Sequence, residues 1–218
     1  MLLTYMGHSQ FLLEDRYGTR ILTDPYDAAT GYPMANVLAD VVTVSHGHGD
    51  HSFVSKVEGD PVVLDREGTF SPAPDITVRA VSCWHDAVEG KQRGANLMMN
   101  LCVDGLHVLH LGDLGHVPDA ALVSRAGPCD ILLLPVGGFF TIGAKEALEV
   151  CRLFSPRCVV PMHFKTRYNA TWPIADENAF LDLAGVPAGE RTPLPLLRIT
   201  PEDLSQQPRV CLMSPVFG

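Results

Sequence analysis

A chain of 218 residues, 46% of them hydrophobic and 19% charged, with a mean hydropathy of +0.12, has the size and composition of a single domain spanning 1–218 that buries most of its apolar surface. Its 25 acidic against 16 basic residues give a formal net charge of -9, and Lys and Arg form no run, which argues against a nucleic-acid partner. No apolar run approaches the roughly 18 residues that span a bilayer. The opening Leu2-Leu3-Thr4-Tyr5-Met6 lacks the basic stretch and long apolar core of a secretory leader, so a cytoplasmic location is expected.

In chain order, β-type runs fall at 2–6, 10–14, 19–23, 41–45, 61–64, 76–82, 97–103 and 106–111. Asp104-Gly105 predicts a hairpin turn between the last two. Arg79 and Asn100 interrupt apolar segments, as expected where a sheet face meets solvent or a covering helix. Apolar runs at 131–136 and 158–162 flank the clearest helix, 144–154, in which Ala147, Cys151 and Phe154 share a face and Pro156 follows the stop. This strand–helix–strand unit predicts an α/β (α+β) organisation. The Pro-rich stretch 187–201 is expected to cross the surface before a short final strand. Cys83, Cys102, Cys129, Cys151, Cys158 and Cys211 show no Cys-x-x-Cys spacing and mostly occupy apolar runs, which reads as reduced core thiols.

Directly after the strand-like Val41-Val42-Thr43-Val44 stands His46-Gly47-His48-Gly49-Asp50-His51, six residues with four potential metal ligands. Residues two apart in extended chain point the same way, so His46 and His48 can share one ion while Asp50 and His51 face a second. A polar loop whose histidines cap a helix is the bland alternative. Three more candidates follow strand-like runs: His85 after 76–81, Asp113 after 108–111 and His163 after 158–162. Sites in α/β proteins collect at strand ends, so these runs would deliver the whole set to one edge. Three nitrogens for one ion and a mixed Asp/His set for the other suit zinc, with Asp113 placed to bridge; manganese, nickel or iron could occupy the same ligands.

The spacing His46-x-His48-x-Asp50-His51 resembles the signature of the metallo-β-lactamase superfamily. Gly7-His8-Ser9-Gln10-Phe11, Thr23-Asp24-Pro25, Leu111-Gly112-Asp113-Leu114-Gly115 and Pro161-Met162-His163-Phe164 look like its branch of small, single-domain Zn-dependent hydrolases, whose relatives include an ascorbate-phosphate lactonase and, more distantly, N-acyl phosphatidylethanolamine phospholipase D. The resemblance spans about residues 1 to 170. It implies a four-layer αββα sandwich of two mixed β-sheets with helices outside. It also implies two divalent metal ions, most simply Zn2+: one held by His46, His48 and His85, the other by Asp50, His51 and His163, with Asp113 between them.

The expected chemistry is hydrolysis by a hydroxide shared between the ions, with Asp50 as the catalytic group that orients it and passes its proton on. No Gly-x-Ser-x-Gly elbow offers a serine nucleophile. A small-molecule substrate carrying an ester-type bond, a lactone or a phosphodiester, is the expected partner on family grounds, and a homo-oligomer stays open. A non-catalytic metal-dependent binding or sensing protein with the same cage is the alternative; the presence of Asp50 and Asp113 weighs towards catalysis, because a structural zinc closes its shell with four ligands.

Other polar residues are read more evenly. His107 and His110 lie at odd spacing on one strand, point to opposite faces and read as structural. His8, in a turn between the first two strands, and His116, three residues beyond Asp113, are candidates for substrate contact or for support of the ligands, with a plain surface role equally weighted. Asp86 and Lys165 could orient ligands or bind an anion, against ordinary exposed charge. The glycines of Gly137-Gly138-Phe139-Phe140-Thr141 allow close approach to the site, or simply form a loop and helix cap.

Overall fold

The computed structural model describes residues 1–203 and 209–217. An antiparallel meander opens the chain, β1 (Leu2–Tyr5), β2 (Phe11–Glu14) and β3 (Arg20–Thr23), followed by β4 (Val37–Leu38), β5 (Val41–Thr43), β6 (Val57–Glu58) and β7 (Val62–Leu64). Next come β8 (Gly68–Ala73), β9 (Ile76–Trp84), β10 (Ala95–Val103), β11 (Leu106–His110), β12 (Ile131–Pro135) and β13 (Cys158–Met162), with β14 (Leu197–Arg198) and β15 (Arg209–Val210) near the C-terminus. The α-helices among the described residues are α1 (Gly49–Ser52), α2 (Ala120–Ala126), α3 (Ala144–Phe154) and α4 (Asn178–Leu183).

Two mixed sheets, ordered β14-β1-β2-β3-β5-β7 and β15-β13-β12-β11-β10-β9-β8, pack face to face. Alternation decides which side chains meet between them. Along β9, Ile76, Val78 and Ala80 enter the shared core while Thr77 and Arg79 point outward. They meet Leu3, Tyr5, Phe11, Leu13 and Ile21 of the meander in the same apolar cluster. β12 and β13 are buried on both faces, which explains their unbroken apolar sequences.

On the outer face of the second sheet, Leu109, Leu132, Leu134 and Val159 pack against Ala147, Val150 and Phe154 of α3 and Phe180 and Leu181 of α4. The outer face of the first sheet, Leu22, Val42 and Val44, is covered by Val37 and Ala39. The result is an αββα sandwich whose first outer layer is built from the small β4–β6 pair and short helical turns rather than a long helix.

The helix over 144–154 and the strand over 158–162 have the expected bounds. Asp104 and Gly105 take φ of 52° and 78°, the left-handed pair of a type I′ hairpin. The stretch 187–201 does more than cross the surface: Leu197 pairs with Leu3 and Arg198 with Leu2, adding β14 to the edge of the first sheet. No helix among the described residues is long and apolar enough to cross a membrane.

Candidate metal centre

Five segments carry the clustered histidines and aspartates: the turn between β1 and β2 with His8, and the loops after β5, β9, β11 and β13. β5 runs through Ser45 to His48, which caps α1 in extended geometry (φ -71°, ψ 146°), so the chain turns helical with Asp50 and His51 in a single turn. His85 directly follows β9, Asp113 stands three residues beyond β11, and His163 directly follows β13 in the left-handed region, with φ 51°. Two glycines let these loops touch. A Cβ on Gly115 would stand 2.2 Å from the carbonyl carbon of His85, and one on Gly137 would stand 2.3 Å from the carbonyl oxygen of His163.

Three groups of ligand atoms result, the atoms of each within 4.8 Å of one another, and the third, His46, His51 and Asp113, draws on both of the others. The first is His46, His48 and His85, with His46 Nε2 2.9 Å from His48 Nδ1. The second is His8, Asp50, His51 and His163, with His8 Nε2 3.1 Å from His51 Nε2 and 3.3 Å from Asp50 Oδ2. Asp113 lies between the groups: its Oδ2 is 3.2 Å from His85 Nε2 and 3.3 Å from His163 Nε2, and its Oδ1 is 3.2 Å from His51 Nε2.

This donor set fits divalent cations. Ligands bound at about 2.0–2.1 Å to one tetrahedral ion stand about 3.3 Å apart, close to the separations within each group. His163 Nε2 and Asp113 Oδ1 are buried without a hydrogen-bond partner, a costly state for the protein alone and a natural one for atoms that face a cation.

A second layer of polar residues orients the first. Asp24 accepts hydrogen bonds from Ser45 N (2.7 Å), Ser45 Oγ (2.6 Å) and His51 Nδ1 (2.8 Å), which turns His51 Nε2 towards the cluster. Ser45 Oγ also lies 2.9 Å from His46 Nδ1, leaving His46 Nε2 for the first group. Asn96 Oδ1 accepts from Asp113 N (2.9 Å), and Asn96 Nδ2 donates to Leu111 O (2.9 Å). His110 Nδ1 accepts from Gly112 N, so Nε2 carries the proton that it donates to Ser9 O at 2.8 Å; this ring braces the Asp113 loop from beneath. His107, on the other face, sits beside Asn100 Oδ1, away from the cluster.

The electrostatics favour the unprotonated ring at His8 and His46. Burial, reinforced by neighbouring His163, lowers His8 to about 4, and burial with nearby His51 lowers His46 to about 3. Burial opposes ionisation of Asp113 and Asp50 as well, yet is outweighed, for Asp113 by His163 and His51 and for Asp50 by His8 and His51, so both stay carboxylates below the usual range. His51 moves the other way: burial disfavours its charge, but Asp113 and Asp24 on its two sides raise it well above an ordinary histidine. Neutral imidazoles among carboxylates are what a cation needs.

Above the cluster opens a cavity of about 240 Å³ lined by His48, Asp50, His85, Asp113 and His163 together with Arg93, Phe140 and Trp172. The fold therefore brings together His46, His48, Asp50, His51, His85, Asp113 and His163 and adds His8 to them. It leaves His116 outside: that ring accepts from Trp84 N (3.3 Å) and lines a separate cavity with Cys83 and Trp84. Lys165 lies beside Tyr5 and Glu177, also outside. Arg93 and Trp172 carry no motif, whereas Phe140 lies in the segment 137–141, whose glycines are expected from the sequence to allow close approach to the site.

Residues 2–163 match the beta-lactamase superfamily domain. A protein of Carboxydothermus hydrogenoformans named UPF0173 metal-dependent hydrolase is 32% identical over 84% of this chain and 91% of its own. The crystal structure of a candidate Zn-dependent hydrolase of the metallo-β-lactamase superfamily from Thermotoga maritima superposes with a TM-score of 0.78 and 34% identity, covering 98% of both chains. Igni18, a metallo hydrolase from Ignicoccus hospitalis, shares the fold at a TM-score of 0.65 and 23% identity over 91% of this chain and 99% of its own.

Proposed function

This chain belongs to the β-lactamase superfamily and is a metal-dependent hydrolase of that fold, and we propose that it works with two ions on an ester-type bond, a lactone or phosphodiester, of a small metabolite. The observation that carries the reading is the position of Asp113 Oδ2, 3.2 Å from His85 and 3.3 Å from His163, where one carboxylate serves both groups of donors. His46, His48 and His85 would hold one ion; Asp50, His51 and His163 the other, with His8 beside it. The nitrogen-rich first group favours zinc, and manganese, nickel and iron remain to be compared. Cations at these positions would polarise the carbonyl or phosphoryl group and acidify a water molecule.

The chain's own residues complete the reaction. Asp50 lines the cavity and stays ionised, so its carboxylate can accept a hydrogen bond from the attacking water, orient it, and pass the proton to the leaving oxygen as the ester bond breaks. Phe140 and Trp172 line the cavity and offer the substrate an apolar wall.

A panel of a phosphodiester, a sugar lactone, a homoserine lactone and a thioester, assayed before and after chelation with zinc or manganese add-back, tests the reading. Chelator-sensitive turnover that Asp50→Asn loses, and that excess zinc or manganese does not restore, supports it. Silence with two ions bound per chain moves the weight to a binding or sensing protein.

A further inference from the structure

The cavity contains a cation that the metal cluster does not require. Arg93 lines it together with His48, His85 and His163, and its guanidinium carbon lies 5.8 Å from the centroid of the Phe140 ring. Phe140 in turn stands 5.7 Å from Trp172 and 6.5 Å from His163, centroid to centroid, so the cation, the aromatic wall and the His163 ring are neighbours around one side chain. The Arg16, Arg20, Arg125 and Arg191 side chains are each paired with a carboxylate. Among the described residues that of Arg93 enters no ion pair and no hydrogen bond with the protein. In a chain of net charge -9, a half-buried guanidinium without a carboxylate partner at a cavity wall is one whose partner comes from outside.

Its position is held by the backbone. Asp86, the neighbour of His85, accepts hydrogen bonds from the N–H groups of Val88 (2.8 Å), Gly90 (2.8 Å), Gln92 (2.9 Å) and Arg93 (2.8 Å). One carboxylate thus ties the whole turn from His85 to Arg93 into a ring, and fixes the arginine relative to the metal-facing histidine at its start. The aromatic neighbours add a second restriction, since flat apolar groups pack on Phe140 and Trp172 while an anion meets the guanidinium.

We propose that Arg93 is the anion-binding residue of this cavity, and that the substrate carries a carboxylate or phosphate group outside the bond that is cut, joined to it by an apolar or ring portion that lies against Phe140 and Trp172. The word substrate rests on the hydrolase reading; the anion site does not.

Isothermal titration of the metal-loaded protein separates the two. Benzoate offers one carboxylate to the metal cluster and a ring to the aromatic wall; terephthalate adds a second carboxylate, and 4-phosphonobenzoate a phosphonate, at the far end. The wild-type protein is expected to bind one of these di-anionic probes about tenfold or more tighter than benzoate, and the preferred one names the anion. Arg93→Gln should abolish that preference with benzoate affinity and metal stoichiometry unchanged, and Arg93→Lys should keep part of it. Equal affinity for benzoate and both larger probes in the wild type, or a preference that survives Arg93→Gln, overturns the proposal. Because binding is read rather than turnover, a silent hydrolase panel beside an Arg93-dependent preference removes the hydrolase reading alone, and turnover without such a preference removes the anion site alone.

Discussion

Asp24 accepts a 2.8 Å hydrogen bond from His51 Nδ1 and so decides which nitrogen of His51 faces the cluster. The same carboxylate takes the Ser45 hydroxyl, which stands against His46 Nδ1, so one buried aspartate orients a donor in each group. Asp24→Ala would leave these partners unsatisfied. Metal affinity measured by chelator competition should fall about 10- to 100-fold. Unchanged affinity would mean that packing alone holds the two rings.

His8 is the donor that sequence motifs leave outside the metal set. Its ring nitrogen lies 3.1 Å from His51 and 3.3 Å from Asp50, while its backbone carbonyl separately accepts from His163 N and from the Tyr5 hydroxyl. The backbone of residue 8 is left-handed, with φ 55°, which asparagine tolerates well. His8→Asn therefore keeps the backbone brace and shortens the side chain beyond reach. The second ion should bind about 10- to 100-fold more weakly, with the first unaffected, and the visible spectrum of the cobalt-loaded protein should change. An unaltered spectrum and two equally tight ions would remove His8 from the metal's surroundings.

The clustering of the candidate ligands was legible because each follows an apolar run with the pattern of a buried strand, and strand ends on one edge of a sheet converge. His85 after β9 and His163 after β13 show this directly. What escaped has physical causes too. β8 contains Ser71-Pro72 and pairs with β9 through an irregularity between Phe70 and Ala73, so it lacks the unbroken alternation of an interior strand. α2 is only seven residues, and its signals, Asp119 capping Leu122 N and Gly127 after the end, bracket too short a stretch for periodicity to register. Arg93, Phe140 and Trp172 meet because three loops fold over one cluster, a fact of tertiary structure with no local pattern. Asp86 was open between ligand support and exposed charge; its role as the acceptor of four backbone N–H groups depends on a turn that periodicity cannot describe.

Gly115 is where the Asp113 loop rests on the His85 loop: an added Cβ would stand 2.2 Å from His85 C and 2.3 Å from Asp86 N, both backbone atoms that cannot rotate away. Gly115→Ala must push the loops apart. A cost of about 1–3 kcal/mol is expected, with a fall of several degrees in the melting temperature, and the histidine of the first group carried off its position. The two effects are read together by thermal melting with and without metal: the stabilisation conferred by zinc should shrink in the variant. A variant that melts and loads like the wild type would mean the loops have slack that these contacts do not suggest.

Lys56 offers a test of pH dependence remote from the metal-facing groups. Its Nζ is buried without a hydrogen-bond partner, 3.6 Å from the centroid of the Tyr26 ring, and burial pulls its pKa down to about 8 despite the opposing attraction of Asp27. The unfolded chain holds that proton up to the ordinary lysine value of about 10.5. Between these values the unfolded state binds more protons than the folded one, so stability contributed at this position rises with pH across the window and carries its full penalty below about 8. Lys56→Met removes the charge but keeps the stem that covers Tyr26. Relative to wild type, the variant should gain on the order of 1 kcal/mol more at pH 7 than at pH 10, after allowance for solvent screening and the lost cation–π contact. Denaturant unfolding at the two pH values measures the difference, and a gap that is constant with pH would show that the ammonium stays charged throughout.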